Sequence, residues 1–248
     1  MRAVRLLEHA LTKEPKTVLD VGTGHGFHAM TFLAQGCSVT GLDVVPPQLV
    51  HKDFDYIEYP YELAADSLEG KEFDMVWCCH VLEHIPNIQD FLMFLRKYLK
   101  KDGWLMLAVP PSRQNRIHIG HCTLWTPAHL IYNLVSSGWN CKEANWYTEY
   151  MTIGLSVQKT DDIQDMSKRT ALPSELVWLN QYTPRIMRHE GGAWWGDKWH
   201  ERAGNDRITD PPFVTAGMQV NDLPPVTQLS FGPNPELRKK YERQKESD

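Results

Sequence analysis

The run Val18-Leu19-Asp20-Val21-Gly22-Thr23-Gly24-His25-Gly26 places an acid two residues ahead of three alternating glycines. Glycine lets a backbone approach a ligand closely or take torsions that a β-carbon forbids, so Gly22, Gly24 and Gly26, with Thr23 among them, read as a ligand-cradling loop. Where such a loop opens a helix, free N–H groups are expected to face a carboxylate. Asp43, with Val44 beside it, ends the next apolar run, where a carboxylate accepts both hydroxyls of a ribose. A dinucleotide loop of the G-x-G-x-x-G kind would need glycine at position 27, and Phe27 stands there. Such a loop has no use for Asp20, whereas the ammonium of an amino-acid tail does. The implied ligand is a nucleoside joined to a zwitterionic tail.

A second set of residues can move protons. Eleven histidines are present, and neutral imidazole suits a general base near pH 7. His80 closes the apolar run Phe73 to Cys79, and His84 follows one helical turn later beside Glu83. The polar loop Pro110 to Trp125 carries Arg113, Arg116, His118 and His121. His121 and His80 are the expected catalytic bases, and Arg113, Arg116, His118 and Trp125 the expected acceptor contacts. His118-x-x-His121-Cys122 looks like half a zinc site, but no second pair stands at ligand spacing nearby, so no metal is expected.

Regular elements must hold these groups. Val4, Leu6, Leu7, Ala10 and Leu11 share one helical face that Pro15 terminates. Thr17 to Val21 reads as a buried strand, His28 to Gln35 as a helix closed by Gly36, and Ser38 to Asp43 as the next strand. Strands follow at Asp55 to Tyr59, Phe73 to Cys79 and Trp104 to Val109, with helices over Ile88 to Lys100 and Pro127 to Ser137. The segment Val45 to Asp53 is polar and proline-broken, so the helix usual after a second strand is expected short or absent there. Alternating segments around Asn140 to Tyr147 and Tyr150 to Gln158 complete a doubly wound α/β sheet, mostly parallel, with a final antiparallel pair.

The division expected is a catalytic domain over 1–159 and an irregular, Trp- and Pro-rich extension over 160–248. A net charge of −5 gives no broad basic field for nucleic acid. No window approaches the roughly 20 apolar residues that span a bilayer, and the N-terminus lacks a signal peptide's pattern, so a soluble cytoplasmic protein is expected. The five cysteines show no C-x-x-C spacing and read as free thiols.

With these motifs the chain resembles the class I S-adenosylmethionine-dependent methyltransferases, whose first motif is acid-x-Gly-x-Gly-x-Gly after a strand. Asp20, Gly22, Gly24 and Gly26 fill that motif and Asp43 fills the ribose position. The likeness runs on through Phe73 to Ile85 and the Lys101-Asp102-Gly103-Trp104 turn. It implies a seven-stranded Rossmann-like sheet, S-adenosylmethionine as methyl donor and S-adenosylhomocysteine as product. The family's acid after the third strand is replaced by Glu58-Tyr59-Pro60-Tyr61-Glu62, where Tyr61 can stack on adenine.

Methyl transfer is an in-line displacement at an already activated carbon, so a base is needed only for a hydroxyl or a protonated amine. The stretch Gly120 to Trp125, followed by Leu130 to Val135 and Gly138-Trp139, is loosely similar to sugar-modifying methyltransferases. It implies O-methylation of a carbohydrate or nucleotide-sugar. Transfer to the nitrogen of an amino-sugar or small amine is the enzymatic alternative; a catalytically silent cofactor-binding module is the other. A lid is sought in the 113–125 loop and in the extension, whose Trp178, Trp194, Trp195 and Trp199 can instead pack on the sheet or on a second subunit of a homodimer.

Overall fold

A computed structural model of the chain describes residues 3–112, 118–149, 152–161 and 181–184. The amphipathic run Val4–Leu11 forms α1, and Thr17–Val21 forms β1. Phe27–Ala34 is α2, Ser38–Asp43 is β2 and Phe54–Glu58 is β3. Phe73–Cys79 is β4, Ile88–Lys97 is α3 and Leu99–Val109 is β5. Pro127–Ser136 is α4, started by Thr126, whose hydroxyl accepts the His129 N–H, with Pro127 in the first turn. Asn145–Glu149 and Thr152–Gln158 are β6 and β7.

The seven strands lie in the order β3-β2-β1-β4-β5-β7-β6. All neighbours pair in parallel except β7, which runs antiparallel to both β5 and β6. Strand order reverses between β1 and β4, and ligands of open α/β sheets bind beyond the carboxyl ends at such a switch point. Alternating side chains bury both faces. Leu6, Leu7 and Ala10 of α1 and Phe32 of α2 pack on Val18, Val39, Met75, Trp77 and Met106 on one side. Phe91, Leu92 and Leu95 of α3 and Leu130, Ile131 and Leu134 of α4 pack on Leu19, Val76, Cys78 and Leu105 on the other.

Most boundaries shift by a residue or two from the sequence expectation, and three shift further; one of these is β6, which begins at Asn145 instead of near Asn140. The third helix stops at Lys97, not Lys100, because Tyr98 and Leu99 turn into the core and Leu99 already pairs with Phe73. The Lys101-Asp102-Gly103 turn therefore lies inside β5 as a bulge, with Asp102 at a φ of 60°. No helix stands between β2 and β3. Leu49 there donates its N–H to the His25 carbonyl at 3.1 Å, tying this connection to the glycine loop.

Tyr182 and Thr183 are buried, and the Cys141 N–H donates to the Tyr182 carbonyl at 2.9 Å. The four tryptophans of the extension lie outside the described residues, as do Arg113 and Arg116. Among the described residues no helix is long and apolar enough to cross a membrane.

Candidate functional site

The glycine loop leaves β1 at the switch point. Gly22, Gly24 and Gly26 all have positive φ, at 75°, 54° and 87°. A β-carbon on Gly22 would stand 2.0 Å from Val81 Cγ2, and one on Gly26 would stand 2.9 Å from the Leu49 carbonyl oxygen. These two glycines are thus required by close packing under the loop. The loop amides do not all face outward as the sequence suggested. Gly22 and Thr23 donate to the Leu42 carbonyl at 2.7 and 3.4 Å, Gly26 to the Thr23 carbonyl at 2.9 Å, and Gly24 to Asp43 Oδ2 at 2.7 Å. The Thr23 hydroxyl donates to the Asp20 carbonyl at 2.8 Å, so it braces the turn.

Asp20 is 1% exposed, and its Oδ2 has no hydrogen-bond partner. Burial, reinforced by the nearby Asp43 and opposed by a backbone hydrogen bond from Ala29, pushes its carboxyl up to about 7. A buried carboxylate oxygen without a donor is unfavourable until a cation or donor reaches it. Asp43 stands half-buried at the end of β2, its Oδ1 accepting the Val44 N–H at 2.7 Å and its Oδ2 holding Gly24. A carboxylate has about four acceptor positions, so Asp43 keeps capacity for hydroxyl donors.

Beyond β4 the chain makes a tight turn. His80 takes a φ of 58°, its Nδ1 lies 3.2 Å from Glu83 Oε1 and its Nε2 lies 3.0 Å from the Thr152 hydroxyl, which ties the end of β4 to β7. His84 uses Nδ1–H to donate to the Gly120 carbonyl at 2.9 Å. The 118–125 loop is fastened over this turn. Cys122 and Thr123 donate their N–H groups to the Glu83 carbonyl at 2.9 and 3.3 Å, and Ser112 donates to the Trp125 carbonyl at 2.7 Å. His121 consequently sits edge-on to His84, with ring centres 4.9 Å apart, and stacks on His118 at 5.2 Å. Burial lowers the His121 imidazole; Glu83 pulls it up, while His84, His118 and His80 push it down, leaving it below its ordinary value.

The chain matches the family described as Methyltransferase domain over residues 2–149. It belongs to the class I S-adenosylmethionine-dependent methyltransferases. Relatives include proteins named Ubiquinone biosynthesis O-methyltransferase. That of Rickettsia akari is 26% identical over 140 residues, covering 54% of this chain and 52% of its own. That of Rickettsia canadensis is 30% identical over 182 residues, covering 66% and 73%. The chain thus spans about half the length of the first of these relatives. Solved structures with the same fold include the 1,6-didemethyltoxoflavin-N1-methyltransferase of Burkholderia thailandensis with bound S-adenosylhomocysteine, at 23% identity and a TM-score of 0.54 over 64% of this chain and 78% of that one. The N-methyltransferase NodS of Bradyrhizobium japonicum is 16% identical, at a TM-score of 0.52 over 64% and 86%.

Members of this methyltransferase family use S-adenosylmethionine, and the residues present fit it. The partnerless oxygen of Asp20 suits the ammonium of the methionine tail, and Asp43 suits the ribose hydroxyls. Val44, Val45, Tyr59 and Leu63, which follow the carboxyl ends of β2 and β3, are exposed apolar side chains of a kind suited to a nucleobase. Only Val44 among them was expected from sequence, since exposed apolar residues in a connection carry no periodic signal. The Tyr61 ring, expected to stack on adenine, is half-buried and packs edge-on against Phe91 and Phe94 of α3, at 4.8 and 5.3 Å. One expectation is corrected. Trp125 is fully buried, stacked on His129 at 5.2 Å, so its ring serves the core rather than the acceptor.

Proposed function

We propose that this methyltransferase transfers a methyl group to the oxygen of a small polar hydroxyl compound, with a carbohydrate or nucleotide-sugar as the acceptor class. The observation that carries the reading is the Glu83, His84 and His121 cluster at the carboxyl edge of the sheet, just past β4. S-adenosylmethionine supplies a methyl carbon already activated by its sulfonium. Asp20, Asp43 and the glycine loop hold the donor. The chain's remaining task is to align the acceptor and take its proton. His121, kept neutral by its surroundings, has a lone pair able to accept that proton, with Glu83 close by to balance the resulting charge.

A phenolic hydroxyl is the second reading, favoured by relatives named ubiquinone biosynthesis O-methyltransferases. Purified full-length protein with methyl-labelled donor, offered separate panels of sugars, nucleotide-sugars and phenols, distinguishes the two by the mass gain of one methylene. If no hydroxyl compound is methylated while an amine is, the O-methyl reading fails. His121→Ala should cripple hydroxyl methylation and spare transfer to an already neutral amine.

A further inference from the structure

Glu83 is 1% exposed and its Oε2 has no hydrogen-bond partner, although Oε1 is engaged by His80. A carboxylate withdrawn from water in this way calls for positive charge beside it. Two imidazoles stand close to this carboxylate: His84 Nε2 lies 4.0 Å from Oε1, and one ligand atom each from Glu83, His84 and His121 lie within 4.8 Å of one another. We infer that these three residues form a binding site for one divalent cation of the zinc class, with three protein ligands and an open position.

Donor type, orientation and support agree with this assignment. Two imidazoles and one carboxylate form the set that holds zinc where a further position stays exchangeable. His84 already spends Nδ1–H on the Gly120 carbonyl, which directs the Nε2 lone pair elsewhere, and this Nε2 lies 4.0 Å from Glu83 Oε1. An N–H to a backbone carbonyl is the usual outer support of a metal-bound imidazole. The amides of Cys122 and Thr123 pin the loop to the Glu83 carbonyl, and His118 stacks on His121, so the second imidazole is held over the same carboxylate. Ligands about 2.1 Å from a shared ion stand roughly 3.4 Å apart in a tetrahedron. His84 and His121 are not buried, which leaves their side chains room to close to that spacing. No sequence spacing announces the site, because Glu83 and His84 follow β4 whereas His121 follows β5.

The catalytic consequence rests on the hydroxyl-acceptor reading; cation binding does not. A cation at this position lowers the pKa of a hydroxyl placed in its open position. The O–H bond breaks, its proton goes to solvent, and the oxygen keeps the electron pair that forms the new bond to the methyl carbon, while the carbon–sulfur bond breaks with its electrons passing to sulfur and S-adenosylhomocysteine leaving. Proton and cation compete for the same His121 nitrogen, so His121 is the base only in the cation-free protein.

The test uses full-length protein, free of any affinity tag and stripped with chelator, titrated with cobalt(II) and followed by visible absorption, then with zinc by calorimetry. One equivalent should bind. His84→Ala and His121→Ala, both at accessible positions, should each weaken zinc binding by more than the roughly 10–100-fold that loss of an outer support costs. His51→Ala, distant in the chain, should leave it unchanged. Failure to take up one equivalent of cobalt, or uptake equally strong in both variants, overturns the site. Cobalt uptake without methylation of any hydroxyl compound keeps the site and ends the functional reading. Undiminished methylation by chelator-treated protein keeps the functional reading and removes the cation from it.

Discussion

Replacing Asp20 by asparagine should change stability and donor binding in opposite directions. Burial, with Asp43 adding to it, raises the Asp20 carboxyl from 3.8 to about 7 in the folded protein. The folded state therefore holds this proton more tightly than the unfolded chain, so stability is fullest below pH 4 and is lost as pH rises towards 7. Across that window the loss amounts to about 4 kcal/mol. Asp20→Asn carries no charge and escapes the loss, while the unsatisfied amide costs about 1–3 kcal/mol of its own. At pH 8 without cofactor the variant should thus be more stable than the parent by about 1–3 kcal/mol, and at pH 5 the advantage should shrink or reverse.

Donor binding should respond the other way. A charge-assisted hydrogen bond to the ammonium is worth about 1.5–3 kcal/mol, so the variant should bind S-adenosylhomocysteine roughly 10–150-fold more weakly. In the parent, binding requires the ionised carboxylate, and affinity should fall by about tenfold per pH unit below 7. This dependence should vanish in the variant. Urea denaturation from pH 4.5 to 8.5, paired with calorimetric titration of the donor product, measures both effects. If Asp20→Asn destabilises the free protein equally at pH 5 and pH 8 and leaves the affinity unchanged, the role given to Asp20 is wrong.

Gly22→Ala forces a β-carbon to 2.0 Å from Val81 at a φ of 75°, whereas Gly24→Ala at a φ of 54° has nothing closer than 4.0 Å. Thermal melts should show a loss of about 1–2 kcal/mol for Gly24→Ala from left-handed backbone alone, and about 1–3 kcal/mol more for Gly22→Ala. Trp125→Ala should cost about 3–5 kcal/mol by opening a core cavity and leave donor affinity intact, as denaturant titration will show. Burial raises the Asp74 carboxyl, but hydrogen bonds from Lys100, Thr17 and Lys16 outweigh it and bring it down to about 2. Its stabilisation is present above pH 4 and lost as pH falls towards 2. Asp74→Asn should therefore cost on the order of 1 kcal/mol at pH 7, a difference from the parent that closes by pH 2.

The glycine loop and the strand ends at Asp20 and Asp43 were legible in the sequence because their geometry is local. A strand, a turn of three glycines and a helix place Gly22, Gly24 and Gly26 within one short segment, and the hydrophobic pattern marks where β1 and β2 end beside Asp20 and Asp43. The seven strands and the antiparallel pair were likewise readable from alternation and turn residues. Where sequence reasoning slipped, a long-range demand overrode a local signal. Leu99 joined β5 because β4 offered it a partner, and Trp125 sank into the core.

The histidine cluster at the carboxyl edge depended on tertiary structure throughout. His84 and His121 carry no mutual spacing that sequence can interpret, and Glu83 looks like any helical acid. Their meeting follows from the parallel pairing of β4 with β5 through Cys79 and Ala108, which brings the ends of the two strands side by side. The loop amides then fasten to the Glu83 carbonyl. Sequence by itself determined the glycine loop and the strand ends that carry Asp20 and Asp43, since backbone torsions and strand periods are encoded over a few residues. Only the folded sheet decided which histidines share a carboxylate, because that proximity is a product of register between distant segments.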